Sequence, residues 1–520
     1  MFTRNKVSYT CFLILILLSL LFSQTVSADQ QGQYGGTLNV GVADNPPTLD
    51  WHFTTANATR HVSKYIWEGL VVFDANDQIQ PMLAKDWKAS EDGLTWTFHL
   101  LEGVRFHNGK EMTAEDAVAS LKRWVEICPF RVSLEPVSSI KAIDKYTVEL
   151  KSEEKIGALP ALMALRSGHC VVMPKEVCEG VPGGKLTEYI GTGPYQFDVW
   201  QLDQYIKLVR FDGYHHAYDG VEPSGYAGEK KAYMDEIIIN TVPETSTLLA
   251  GLETGEFDVI EPIQPMEAPR LEENKDINLQ RYPKWSLTSL FNTYGILGDI
   301  RLRKAMVIAL DMEEIMLAVG KKPENIELVS SSYLENSFWF TGEKEKCYNL
   351  KDVEGAKKLM KEAGYKGEEL IMMTTKHYPW AFDMAIGIVE QLSKIGFNFK
   401  MDVVDWPTLV ERRAKKEGWD IFTSAVSPMP DPIMGVQNYM GNYPGGYTSP
   451  EIREYMGELL RETDPVKRLE AWAKAEAYLC ENPSGINPGL TFEYRGSRSN
   501  IKGLPLFNEG LFFNVYKEKE

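Results

Sequence analysis

Few residues in this chain have the type and spacing that chemistry at a catalytic centre requires. Eight histidines are scattered over 520 residues, and the closest pair is His215-His216. Adjacent residues on a strand point to opposite faces, so this pair reads as a surface loop and not as two ligands to one metal. Gly183-Gly184-Lys185 resembles a phosphate loop, but Leu186 stands where a Ser or Thr hydroxyl would hold magnesium. It too reads as a loop. There is no His-Glu-x-x-His helix, Gly-x-Ser-x-Gly elbow or Gly-x-Gly-x-x-Gly turn. Carboxylates are so abundant that any chosen pair is uninformative. The aromatic residues say more. Trp51, Phe53, Trp285, Trp339, Trp380 and Trp406 fall near loops or element ends, where large rings supply contact area and stack on cations or planar groups. For any one ring, packing in a core is the more ordinary explanation, so the set carries more weight than its members. These residues favour binding over turnover, and no cofactor is expected.

Both strands and helices must position these side chains. Branched and aromatic runs predict strands at Thr37 to Val42, Thr95 to Leu101, Lys145 to Lys151, Ile206 to Phe211, Glu236 to Val242 and Phe397 to Val404. Amphipathic spacing predicts helices at Ala114 to Val125 and Asp352 to Ala363, the second closed by Gly364 in a left-handed conformation. Gly191 to Tyr195 reads as a tight turn feeding a strand near Phe197, and His107-Asn108-Gly109 as a hairpin turn. The class is mixed α/β, without internal repeats.

The first residues read as an export leader: Arg4 and Lys6, an apolar run from Cys11 to Phe22, and the small-residue pattern Val26-Ser27-Ala28. Cleavage after residue 28 would leave a periplasmic protein that is not embedded in a membrane, and no cysteine follows the run to carry a lipid. The net charge of −18 becomes two units more negative without Arg4 and Lys6, which disfavours nucleic acid as a partner. The length exceeds what one hydrophobic core supports, so two or three lobes are expected. Of six cysteines, Cys128, Cys170, Cys178, Cys347 and Cys480 lie beyond the leader. The spacing favours a disulfide between Cys170 and Cys178, since Met173-Pro174 can turn the chain back. A zinc site is the weaker alternative.

Several blocks occur in a recognisable order. Gly35-Gly36-Thr37-Leu38, Thr48-Leu49-Asp50, Ile66-Trp67-Glu68-Gly69-Leu70-Val71 and Pro81-Met82-Leu83-Ala84 come first. Asp92 to Phe98, Gly103 to Gly109, Thr113 to Asp116, Gly191 to Tyr195, Phe291-Asn292-Thr293, Asp299 to Ala305 and Glu362 to Tyr365 follow. Together they resemble the peptide/nickel family, family 5, of extracytoplasmic solute-binding proteins serving ATP-driven importers, across nearly the whole chain beyond the leader. The resemblance implies a bilobal type II periplasmic-binding-protein fold of the large cluster C type, with an extra domain inserted in the first lobe. Lobe I would combine residues 29–67, 190–275 and 491–520, with the insertion at 68–189 and lobe II at 276–490. Hinge crossings would lie near residues 275 and 490. It also implies a monomer that captures a small molecule and delivers it to an inner-membrane ABC permease with its ATPase subunits.

Family members that take short peptides hold the free amine with an aspartate and the carboxylate with an arginine on lobe II. Those positions fall here on Pro428 and on Phe382 or Asp383. A dipeptide held by its termini in that manner is therefore disfavoured. Trp406 matches a family tryptophan near the cleft. Asp431 keeps the acidic residue before Pro432, with a turn cap as the equal alternative. The expected ligand-binding set is Trp51, Phe53, Trp285, Trp380 and Trp406, with Asp383 or Asp431 supplying charge, a combination suited to a cationic or aromatic organic solute. An oligopeptide held through its backbone, or a metal chelate such as a nickel metallophore, are the alternative cargoes. A secreted hydrolase is the third reading.

Overall fold

The computed structural model describes residues 34–181, 184–331 and 333–518. The expected leader at 1–28 and Gly183 of the loop Gly183-Gly184-Lys185 lie outside the described residues.

Ten strands follow one another across a single large sheet. Their order is Asn398–Val403, Glu369–Thr374, Ile421–Val426, Ile277–Phe291, Gly485–Arg498, Val259–Ile263, Thr37–Val42, Glu236–Thr241, Tyr205–Arg210 and Tyr195–Gln201, and the short strand Ile326–Glu327 pairs off this path. At one end Glu369–Thr374 runs parallel to both its neighbours, and at the other Thr37–Val42 does the same. Parallel pairs of this kind need helical crossovers, which accounts for helices such as Pro379–Lys394 and Thr245–Thr254 between their strands. The two halves are joined by the 15-residue strand Ile277–Phe291 and the 14-residue strand Gly485–Arg498, paired antiparallel from Ile277 opposite Arg498 to Leu290 opposite Gly485. The register shifts at Pro283/Trp285, where proline has no N–H to give the ladder.

The segment after Trp67 forms a separate antiparallel sheet in the order Ala84–Ala89, Thr95–Leu100, Thr147–Ser152 and Val137–Asp144, backed by the helix Ala114–Ile127. That helix starts with a capping box between Thr113 and Asp116 and buries Ala114, Ala117, Leu121 and Trp124 on one stripe. Its core is continuous with residues of the helices Pro450–Arg461 and Pro465–Glu481, including Met456, Leu459 and Trp472. Contact is closest at Gly157, where a β-carbon would stand 2.0 Å from the Glu462 carbonyl oxygen. The Ala158 N–H donates to the Leu460 carbonyl beside it at 3.1 Å.

The elements foreseen from the sequence lie within a residue or two of their expected bounds. Asp352 caps the helix Val353–Ala363 and Gly364 closes it at φ +73°. Gly191 and Gly193 precede Tyr195–Gln201, but close approach, not a positive φ, makes them necessary. A β-carbon on either would fall within 2.3 Å of the carbonyl oxygen of Ile66 or Tyr65. The disulfide expectation is corrected. Cys170 and Cys178 are free and buried, as is Cys128, whereas Cys347 and Cys480 are bonded. Pro174 caps the helix Lys175–Gly180 instead of turning the chain back, and Cys178 packs 3.6 Å from the Ser120 hydroxyl.

Candidate ligand-binding cleft

Two adjoining cavities lie where the inserted segment, the two long strands and the ends of both half-sheets meet. The larger encloses about 700 Å³ and is lined by Arg166, Arg281, Tyr282, Pro428, Phe492 and Phe507, together with Asp77 and Asn508. Ligand cavities typically occupy about 300–1,000 Å³. The smaller, about 90 Å³, is walled by Arg60, His61, Arg166, Glu261, Lys284 and Glu509. Arg166, Tyr282, Pro283, Pro428 and Asn508 line both. Pro428 lies in the loop after Ile421–Val426, and Tyr282 and Pro283 sit at the irregular step of the long strand. The first half-sheet contributes Glu261 and Pro262, of the strand Val259–Ile263, to the smaller cavity.

The charges around the smaller cavity are matched. Glu509 accepts from Arg60 at 2.9 Å and from Lys64 at 3.2 Å. Burial pushes the Glu509 carboxyl up, but Arg60 and Lys64 outweigh it and hold the group well below the usual carboxylate range. Glu261 accepts from Arg495 at 2.6 Å and from the Gly510 N–H. Burial again opposes ionisation there, and Arg495 with neighbouring cations prevails, lowering the Glu261 pKa to about 2. Burial lowers His61 to about 4, so its imidazole is neutral at pH 7. It makes no hydrogen bond among the described residues.

The larger cavity is different. Arg166 is only 7 % exposed, donates through Nη1 to Asn508 Oδ1 at 3.0 Å, and approaches Asp77 no closer than 3.6 Å. Its Nε atom is buried without a hydrogen-bond partner among the described residues. Its guanidinium lies 4.6 Å from the centre of the Phe507 ring. Arg281 stacks 4.0 Å from the Phe492 ring centre and donates to the Glu324 carbonyl. Burial raises the Asp77 carboxyl above its ordinary value, against the opposing pull of Arg166 and Ser337.

None of the residues expected from the sequence lines either cavity. Trp51 belongs to the core at 2 % exposure, its Nε1 donating to the Arg166 carbonyl at 2.8 Å. Phe53 is 44 % exposed. Trp285 is half-buried against the core of the second half-sheet. Asp431 is fully buried, bound bidentately by Arg468 at 2.9 and 2.9 Å, and accepts from the Ile433 N–H as the cap of Pro432–Tyr439. Asp383 accepts from Lys321 at 2.6 Å. Trp380 and Trp406 are brought together through Tyr378, which stacks on the first at 5.5 Å and meets the second edge-on at 5.1 Å. Both follow the carboxyl ends of parallel strands, Glu369–Thr374 and Asn398–Val403, the edge where open α/β sheets bind ligands. His107 is held by the chain itself. It contacts the Gly193 carbonyl at 3.0 Å and the Gly191 N–H at 3.2 Å. His216 pairs with Asp219 in a loop.

Sequence reasoning missed Arg60, His61, Arg166, Arg281 and Lys284. No spacing singles them out, because they converge from three segments spread over more than two hundred residues.

Residues 78–447 match the profile of the bacterial extracellular solute-binding proteins, family 5. The chain belongs to this family. It is 28% identical over 437 residues to the "Probable peptide ABC transporter periplasmic-binding protein y4tO" of Sinorhizobium fredii (strain NBRC 101917 / NGR234), covering 78% of this chain and 77% of that one. It is 24% identical over 466 residues to the glutathione-binding protein GsiB of Escherichia coli (strain K12), covering 84% and 85%. Its fold is similar to that of the ABC transporter substrate binding protein CtaP from Listeria monocytogenes, with a TM-score of 0.80 at 23% identity, over 93% of this chain and all of the other. The fold is therefore the type II periplasmic-binding-protein fold, and the protein is a substrate-binding component of an ABC-type importer. Its family is extracytoplasmic, and among the described residues no helix is long and apolar enough to cross a membrane.

Proposed function

We propose that this protein captures a small organic solute in the larger cavity, closes around it, and releases it unaltered to an inner-membrane ABC permease. The observation that carries this reading is a cavity of about 700 Å³ walled by the two long connecting strands, by Asp77 and Arg166 of the segment after Trp67, by Pro428 and Met429, and by Leu506, Phe507 and Asn508 near the end of the chain. In this reading lobe I comprises residues 29–67, 190–275 and 491–520, the insertion residues 68–189, and lobe II residues 276–490. The strands Ile277–Phe291 and Gly485–Arg498 serve as the hinge. The protein acts in the periplasm as a monomer without catalytic turnover, after loss of an export leader. Trp380 and Trp406, one and two strands from the Pro428 loop, form an aromatic shoulder on lobe II that meets the solute as the lobes close.

Relatives are named for peptides and for glutathione, and such molecules suit the size of the cavity. Pro428 stands where an aspartate would hold a free amine, so the cargo is gripped in another manner. Thermal melts against peptides, glutathione, organic acids, amines and metal chelates test the reading. A true ligand at about 100 times its dissociation constant stabilises by about 2.7 kcal/mol. A protein that shifts with no member of the panel and carries no solute when purified would not be a receptor of this kind. A solute recovered chemically changed would count against the absence of turnover.

A further inference from the structure

We propose that the inserted segment completes lobe closure at a seam remote from the solute, and that Gly157 is the positioning residue that lets this seam shut. This rests on the receptor reading and adds the contact that holds the closed form. Gly157 lines neither of the two cleft cavities.

What requires glycine at position 157 lies entirely in the other lobe. A β-carbon there would meet the Glu462 carbonyl oxygen at 2.0 Å, the Glu462 carbonyl carbon at 2.2 Å and the Arg461 carbonyl oxygen at 2.5 Å. These are backbone atoms, which cannot turn aside as the end of a side chain can. Gly157 does not adopt a positive φ, so its own backbone conformation would accept other residues. With the lobes apart a larger side chain fits; with the lobes together it does not.

Hydrogen bonds cross the seam at two places. Beside Gly157, the Ala158 N–H donates to the Leu460 carbonyl at 3.1 Å, in the last turn of the helix Pro450–Arg461, where carbonyls have no partner within the helix. Further along, the turn between Val71–Phe73 and Ile79–Pro81 reaches the same lobe. The Phe338 N–H donates to the Asn76 carbonyl at 2.9 Å, and the Ser337 hydroxyl to Asp77 at 2.7 Å. Asp74 stiffens that turn by accepting from the Asn76 and Gln78 N–H groups. Each crossing bond can be exchanged for one to water when the lobes part, so these bonds favour the closed form and leave it reversible.

Between the two places lies a hollow of about 180 Å³, lined by Phe73, Trp87 and Pro160 of the insertion and by Phe338, Trp339 and Pro465 of lobe II. Interiors that stay shut keep few voids larger than a water molecule. A gap with rings on both sides fits two surfaces that meet and separate. Because apparent affinity scales with the population of the closed form, a seam that touches no solute then governs how firmly the solute is held.

The test compares full-length wild type with Gly157→Val and Gly157→Ala, using a protein-free bacterial extract as the probe. Each protein is incubated with extract and re-isolated. Retained solute is measured by mass spectrometry, and the radius of gyration by small-angle X-ray scattering before and after. The wild type should contract and retain a solute, while Gly157→Val stays expanded and retains about tenfold less, with Gly157→Ala between them. All three should melt alike without extract. Ala158→Pro removes the crossing N–H at a φ of −79°, which proline accepts, and should also weaken retention. A Gly157→Val protein that contracts and retains solute like the wild type overturns the seam and leaves the receptor reading standing. So does a wild type that retains solute without contracting, or a Gly157→Val melt lowered in the absence of extract, which would make this glycine a requirement of the fold itself. A wild type that neither contracts nor retains a solute overturns both.

Discussion

Two groups of arginines flank the same interlobe space and do different work. Around the smaller cavity, Arg60 and Arg495 meet Glu509 and Glu261 at 2.9 and 2.6 Å, closing a network that ties the helix Asn57–Ile66 to the chain near Gly510. Around the larger cavity, Arg166 rests on Phe507 with Asp77 no closer than 3.6 Å, and Arg281 rests on Phe492 exposed to solvent. Matched buried charges fix a structure, because removing either partner leaves the other stranded in a low-dielectric interior. A charge left exposed, as on Arg281, adds little to stability.

The largest effect should come from breaking the matched side. Arg495→Met strands the Glu261 carboxylate and should destabilise by about 3–5 kcal/mol in denaturant unfolding. A loss as small as that of Arg281→Met would erase the distinction between the two groups. Next comes the Cys347–Cys480 bond, which spans 133 residues and pins Glu343–Cys347 to the helix Pro465–Glu481. Replacing both cysteines by serine should cost about 2–4 kcal/mol, while a Cys170→Ser, Cys178→Ser double variant should leave the non-reducing disulfide pattern unchanged.

Acid should sharpen the contrast further. Burial lowers His52 to about 4 and His169 to about 3, so below their ordinary value of 6.5 the unfolded chain takes up protons that the folded chain refuses. Each then removes up to about 1.4 kcal/mol per pH unit as pH falls from about 6.5 towards those values. Glu261 acts with the same sign lower down, its contribution present above about 4.5 and lost as pH falls towards about 2. Melting temperature should therefore decline steadily below pH 6.5, and a melt unchanged between pH 7 and 5 would contradict the assignment of neutral buried histidines. The smallest effect on stability is expected for Arg281→Met, within about 1 kcal/mol. Trp406→Ala should be comparably mild in the melt yet weaken solute binding, and unchanged affinity would remove the aromatic shoulder from the site.

Local rules made much of the fold legible. Thr37–Val42 alternates as a strand should, Thr113 with Asp116 starts a helix, and Gly364 ends one. The turn-cap alternative for Asp431 was also local, and it is seen in the Ile433 N–H bond. The fate of Asp431's charge was not, since Arg468 is brought to it by packing of the helix Pro465–Glu481. Trp51 shows the same division. Its position near a loop suggested a cleft, but Arg166, 115 residues on, folds over it and accepts its N–H at a backbone carbonyl.

The sequence by itself determined the α/β class, the bounds of many strands and helices, and the family, because periodicity, caps and ordered motifs depend on neighbours along the chain. Tertiary structure alone decided which cysteines bond and which arginines meet a carboxylate at hydrogen-bond distance. Both outcomes depend on distances between segments far apart in sequence, and those are set when the half-sheets and the insertion close on one another.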